Sequence, residues 1–213
     1  MDLNSIIRFI SEKKDNNLLI TLRKVLSEYD YYYLQKTFHI GDPGIYVKFK
    51  DDNSGKCFQF NGDVYEGCFK EDKPDDLGKM IYLNGDVYEG MFKDGKKHGK
   101  GKFTYKKINK TRLDFSPSLS VYEGMFKDDK MNGEGKLVWS DGIFYEGPFK
   151  DGKRYGIGKQ TYPGRFTIKG MFKDKANGRM KVTYNNGNIF ESIYKDGRAI
   201  GSGKITCANG NIY

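Results

Sequence analysis

The sequence predicts a mainly β fold, an elongated and twisted single-layer antiparallel sheet of tandem β-hairpins with a short N-terminal α-helical cap. Three observations predict it. A pentapeptide of the form aromatic-Glu-Gly-x-aromatic recurs about every 23 residues. A Gly-Lys block follows it at a fixed distance. Asn-Gly or Asp-Gly turn signals separate the two runs and close most periods.

The pentapeptide reads YEGCF at 65–69, YEGMF at 88–92, YEGMF at 122–126, YEGPF at 145–149, IKGMF at 168–172 and FESIY at 190–194. Successive starts are 23, 34, 23, 23 and 22 residues apart, so the second interval carries an 11-residue insertion within 106–120. A glycine lies 13 residues after the opening aromatic at Gly78, Gly101, Gly135, Gly158 and Gly203; the fifth copy reads NGRMK (177–181) there. The register extends upstream, where GKCFQFNGD (55–63) aligns with GKMIYLNGD (78–86) and IYVKFKD (45–51) fills a degenerate first block. Seven units result, and the period makes the chain a quasi-one-dimensional array.

Within one unit, Tyr88, Gly90 and Phe92 face one side, and Glu89 and Met91 the other. Lys93-Asp94-Gly95-Lys96 is a turn. Gly99, Gly101, Phe103 and Tyr105 then share a face opposite Lys102 and Thr104. Glycine weakens a strand unless something must approach the backbone closely. Each glycine shares its face with large aromatics, so a neighbouring ring is expected over the missing side chain, supplying the hydrophobic layer of a one-sheet structure.

Residues 1–40 differ in character and form a separate N-terminal helical segment, with the hairpin array at 41–213. Leu3, Ile6, Ile7 and Ile10 follow helical spacing, as do Leu18, Leu22, Val25, Leu26, Tyr29 and Tyr33. Asp2 and Asp15 suit N-cap positions. Two short helices are expected, covering the open edge of the first hairpin; docking to a partner or a membrane surface is the alternative role.

Composition bounds the function. Net charge is +9, and residues 1–60 hold nine Lys and Arg against eight Asp and Glu, so the basic excess belongs to the repeats. No stretch is apolar enough for a membrane span, and the N-terminus lacks the order of a signal peptide, which together point to a cytoplasmic protein. Cys57, Cys68 and Cys207 have no metal-ligand spacing with His39 or His98. GKKHGKGK (95–102) lacks phosphate-loop spacing and lies between strands. Glu66, Glu89, Glu123, Glu146 and Glu191 recur, whereas an active site is made once; these carboxylates are expected to answer lysines across strands. No catalytic, cofactor or metal residues are assigned.

The pattern YEGxFKDgKxxGxGxxxxxxGxxY over residues 45–213 resembles the MORN repeat (membrane occupation and recognition nexus). The resemblance implies single-layered hairpin arrays, often with a groove that docks a partner's helix or peptide, in cytoskeletal assemblies and at membrane junctions. It implies a non-enzymatic scaffold whose protein partner rests on an aromatic trough of Tyr65, Phe69, Tyr88, Phe92, Tyr122, Phe126, Tyr145 and Phe149. The alternative is a peripheral module meeting anionic phospholipid through Lys79, Lys102, Lys136, Lys159 and Lys204. Nucleic acid is disfavoured, because the aromatics already have a packing role. The strand edge at Tyr213 suggests end-on association of copies.

Overall fold

The computed structural model describes residues 38–41, 44–48, 54–59, 61–106 and 119–213, the first two stretches as backbone only. The chain forms two compact units, Met1–Lys96 and Lys97–Tyr213. The first contains β1 (Phe38–Gly41), β2 (Gly44–Lys48), β3 (Ser54–Gln59), β4 (Val64–Lys70), β5 (Lys73–Ile81) and β6 (Val87–Lys93). The second contains β7 (Lys96–Thr104, from its second residue), β8 (Leu119–Lys127), β9 (Lys130–Trp139), β10 (Phe144–Lys150), β11 (Lys153–Tyr162), β12 (Phe166–Lys173), β13 (Lys175–Tyr184), β14 (Ile189–Lys195) and β15 (Arg198–Thr206). Within each unit every strand pairs antiparallel with the next in sequence. No helix occurs among the described residues. The two expected helices lie outside the described residues, in which the first strand pairs from Phe38. Most of the insertion also lies outside them, but the Tyr105 amide donates to the Ser120 carbonyl at 2.9 Å, so its described ends meet in the ladder.

The hairpins form where the sequence places them. Lys150 and Lys153 pair around Asp151-Gly152, whose φ values of 50° and 83° are those of a tight primed turn. At the opposite strand ends, Asn61 accepts from the Asp63 amide at 2.9 Å, and Asp63 accepts from the Leu83 amide at 2.8 Å. Asn188 holds the Ala208 amide in the same way at 3.0 Å. One turn thus fixes the turn of the following unit.

The core is a row of rings lying on glycines. Gly67 pairs with Gly78, which pairs with Gly90; Gly101, Gly124, Gly135 and Gly147 continue the pattern in the second unit. A Cβ on Gly78 would meet the Tyr65 hydroxyl and ring, and Cβ atoms on Gly135 and Gly158 would meet Tyr122 and Tyr145. The inferred packing of ring over glycine is therefore the observed one. Tyr65, Tyr88, Tyr122 and Tyr145 are wholly buried. Their hydroxyls donate to the carbonyls of Cys68, Met91, Met125 and Pro148, three residues on, at 2.7, 2.8, 2.9 and 3.2 Å.

Tyr65, Tyr122 and Tyr145 each also meet two phenylalanines edge-on, and Tyr88 meets Phe92 at 5.0 Å. Tyr65 contacts Phe69 of its own unit at 4.9 Å and Phe92 of the next at 5.0 Å. Tyr122 contacts Phe126 and Phe149, and Tyr145 contacts Phe149 and Phe172, at 5.0–5.3 Å. Such pairs contribute about 0.5–1.5 kcal/mol each beyond the area they bury.

A bulge brings Phe69, Phe126, Phe149 and Phe172 beneath these rings, because the register shifts between the glycine and the phenylalanine of each block. The second strand absorbs the shift at Asp76, Gly133, Gly156 and Gly178, all with φ between 69° and 92°, and Gly99 at the equivalent place in the repeat has φ of 71°. Gly99 thus has the left-handed backbone of these bulge residues rather than that of a plain alternating strand.

The two irregular units restore the packing by substitution. Where tyrosine is replaced by Ile168, Met180 occupies the partner glycine's place and is fully buried, its Sδ lying where a Cβ on Gly170 would fall. Where it is replaced by Phe190, the ring still covers Gly203, and the buried Ser192 stands in place of glycine. Its Oγ lies 3.5 Å from the carbonyls of Ile193 and Ser202, close to the bond that a tyrosine hydroxyl makes elsewhere.

Candidate binding face

The eight aromatics expected to line a partner trough are instead the core. Tyr65, Tyr88, Tyr122 and Tyr145 are sealed, and Phe69, Phe92, Phe126 and Phe149 are buried beneath them. The reason is geometric: the glycines let each ring lie into the sheet, and for Tyr65, Tyr122 and Tyr145 the phenylalanine of the next repeat closes over it. Burial pushes the Tyr145 hydroxyl's pKa up to about 12, with Glu134 adding to the shift and Arg154 opposing it. Burial likewise raises Tyr65 and Tyr122.

Chemistry able to meet a partner lies on the opposite face. Strand alternation projects Glu66, Lys79 and Glu89 there in the first unit, directly opposite one another in register. Lys79 reaches Glu89 at 3.0 Å, and Lys56 reaches Glu66 at 3.2 Å. In the second unit the row runs Lys102, Glu123, Lys136, Glu146, Lys159, Lys169, Lys181, Glu191, Lys204, strand by strand. Lys136 reaches Glu146 at 3.1 Å. The expected cross-strand answer of Glu to Lys is thus observed.

The same ladder corrects the picture of a lysine stripe. Lys79, Lys102, Lys136, Lys159 and Lys204 alternate with carboxylates, so no unbroken basic band forms. The exception is local. At β11, β12 and β13 the alternation fails, because Lys169 stands where the other units carry glutamate. Lys159, Lys169 and Lys181 are then three adjacent like charges, all exposed and none in an ion pair.

A second row lies beside the first, one alternate position toward the hairpin turns. Its apolar members are Leu77 in the first unit and Met125, Ile157, Met171 and Ile193 in the second, with Ile200 paired to Ile193; Lys100, Glu134 and Arg179 interrupt them. Leu77 is 61% exposed and Ile157 65%. Ile157 pairs with Met171, and Ile193 with Ile200. Sequence reading missed this row, although its signal was present: the variable position of each pentapeptide, Cys68, Met91, Met125, Pro148, Met171 and Ile193, is never charged.

Other candidates resolve plainly. Cys57 is buried, Cys68 and Cys207 are partly so, and all three are free thiols. No group of His, Cys, Asp and Glu among the described residues could hold a metal ion. His98 lies 3.7 Å from Asp128 near a turn. No helix among the described residues is long and apolar enough to cross a membrane. Tyr213 exchanges two backbone hydrogen bonds with Ile205, both at 2.9 Å, so it already occupies the ladder.

Comparison with known proteins follows the same register. A family model described as the MORN repeat matches residues 65–87, 88–107, 122–143, 145–164 and 190–212, about half of the chain. The unit carrying Ile168 and Lys169 falls between the matched segments. No curated protein matches the sequence. Among solved structures, the chain is similar to the TCP domain of Drosophila melanogaster SAS-4 (dCPAP), a structure in complex with a proline-rich motif of Ana2 (dSTIL). Identity is 14% and the TM-score 0.46, over 77% of this chain and 84% of that one. It is also similar to the TCP10 domain of Danio rerio CPAP in complex with a STIL peptide. Identity there is 15% and the TM-score 0.26, over 83% and 96% of the two chains.

Proposed function

The chain belongs to the MORN-repeat family, and from that premise we propose that it is a non-enzymatic scaffold whose sheet docks a segment of a partner protein. The carrying observation is the exposed apolar pair Ile157 and Met171 in the second unit, with Met125, Ile193 and Ile200 also exposed within that unit. A one-layer sheet satisfies one face with its own rings and leaves the other to be covered. Paired apolar side chains such as Ile157 and Met171, set beside a charge ladder, have the form of a protein interface: an apolar line with a polar rim. The aromatic face is closed, so the partner belongs on the Glu/Lys face.

A non-enzymatic role is supported by repetition. Every carboxylate of the ladder has counterparts at the same register in other units, with lysines across from them, as a structural role demands. A lipid-facing role through the lysines is disfavoured, because a flat anionic surface would meet Glu123, Glu146 and Glu191 together with them.

Affinity capture with the full chain and with the double variant Ile157→Ser, Met171→Ser tests the proposal, the bound proteins being identified by mass spectrometry. A partner retained by the native chain and lost from the variant is expected, with the variant's circular dichroism unchanged. Identical capture by both overturns the placement on this face.

A further inference from the structure

The break in the charge ladder identifies the chemistry of the partner. Along the second unit, lysine and glutamate alternate from Lys102 to Lys159. They then give way to Lys169 and Lys181 before Glu191 restores the pattern. Like charges directly opposite one another destabilise a sheet. Lys169 has a lysine on each side, and its nearest ladder carboxylates, Glu146 and Glu191, lie two strands away in either direction. Glutamate at this position would suit the fold better, as Glu66, Glu89, Glu123, Glu146 and Glu191 show at equivalent positions. The unfavourable arrangement is also accessible: Lys159, Lys169 and Lys181 are all exposed.

We propose that Lys159, Lys169 and Lys181, with Ile157 and Met171 beside them, form the docking site for an acidic amphipathic helix of a partner protein, laid across strands β11 to β13. This rests on the scaffold reading above and assigns its partner's chemistry and position. Charge complementarity requires an anion. The helical form follows from spacing. Adjacent strands stand about 4.8 Å apart, and residues one helical turn apart are spaced about 5–6 Å. Acidic residues at i, i+4 and i+7 therefore meet lysines on three successive strands, whereas same-side residues of an extended chain are about 6.6 Å apart and fall out of step. An apolar stripe next to the acidic one would then lie on Ile157 and Met171, which directly pair beside Lys159 and Lys169.

Glu146 and Glu191 bracket the lysines along the row and limit the basic surface to three strands. A narrow acidic segment fits between these carboxylates. A membrane surface spreads over them and is repelled.

The test uses three probes with the full chain: a synthetic helix carrying a glutamate stripe beside a leucine stripe, its scrambled counterpart, and phosphatidylserine vesicles. Binding is read by fluorescence anisotropy, or by sedimentation for the vesicles, across a salt series. The patterned helix is expected to bind, the scrambled one to bind more weakly. Lys169→Glu, which restores the ladder and so leaves the sheet folded, is expected to weaken binding by about tenfold. Lys102→Glu, in the same row outside the three, is expected to leave it unchanged. Equal binding by the scrambled helix, indifference to Lys169→Glu, or vesicle binding that depends on Lys169 while the helix does not bind would each overturn the proposal. If Ile157→Ser, Met171→Ser loses a captured partner and Lys169→Glu does not, the acidic-helix assignment falls and the scaffold reading stands.

Discussion

Gly135 has no side chain because the ring of Tyr122 occupies that space: a Cβ there would lie 2.6 Å from Tyr122 Cε2. The two residues act as one packing element, and substitution of either should be felt through the other. Gly135→Ala is expected to destabilise the sheet by about 2–3 kcal/mol through overpacking. The same change made beside Tyr122→Val, which vacates the space, should cost markedly less than the sum of the two single changes. Urea unfolding of the four proteins of the cycle measures this; additivity would separate the two residues.

Tyr145 couples stability to alkaline pH. Its hydroxyl ionises near 10.0 in an unfolded chain, and burial pushes it to about 12 in the fold. The protonated form is therefore favoured by folding, and its contribution is complete below pH 10 and is lost as pH rises through 12. Tyr65 and Tyr122 shift in the same direction for the same reason. Tyrosinate absorbance followed together with circular dichroism should show ionisation of these rings only as the sheet melts. Their free titration near pH 10 in a folded sheet would contradict the packing.

Phe190 and Ser192 should behave as a linked exchange. Ser192 is buried where other units have glycine, and its hydroxyl lies near the carbonyl that a tyrosine would bond. Phe190→Tyr alone should crowd Ser192 and lower stability by about 1–2 kcal/mol. Adding Ser192→Gly should recover it, because the pair then matches Tyr145 and Gly147. Thermal melting of both variants decides the point, and equal effects would mean that the two sites are independent.

Asp76 occupies the bulge position that glycine fills in the units at 99, 133, 156 and 178, with φ of 69°. A left-handed conformation costs a side chain about 1–2 kcal/mol, part of which glycine returns through its greater freedom when unfolded. Asp76→Gly should therefore raise stability by about 0.5–1 kcal/mol, read from the urea midpoint. A loss would show that the carboxylate has a local role.

Lys169→Glu should stabilise the isolated protein. It replaces two like-charge oppositions with two complementary ones, each cross-strand pair contributing about 0.2–1 kcal/mol. The gain should shrink in high salt, because the pairs are exposed. A melting point that falls instead would show that the three lysines are held by something other than simple apposition.

The period, the hairpins and the ring over each glycine were legible in the sequence, because each repeats and each answers a local steric demand. The bulge was not. Gly99 reads as one more strand glycine until its φ of 71° is seen to match those of the bulge residues Gly133 and Gly156. The sidedness of the aromatics was misjudged for a related reason. Alternation places Tyr145 and Phe149 on one face, but only the next unit's Phe172, 5.0 Å from Tyr145, shows that this face is closed. Lys169 was visible as a departure from the repeat. That Lys159 and Lys181 flank it required the register of two separate hairpins.

The rings shared between Tyr122 and Phe149, and between Tyr145 and Phe172, have a consequence for how such a chain can change in length. Removing one whole period brings another phenylalanine to the same place under the same tyrosine, and the seam closes. Removing a few residues from a strand leaves a ring without its floor or its neighbour. Only the hairpin tips escape this rule, as the 11 extra residues between the ends joined by Tyr105 and Ser120 show. The sheet therefore accepts a change of length in steps of a fixed size, and the hairpin tips accept one of any size.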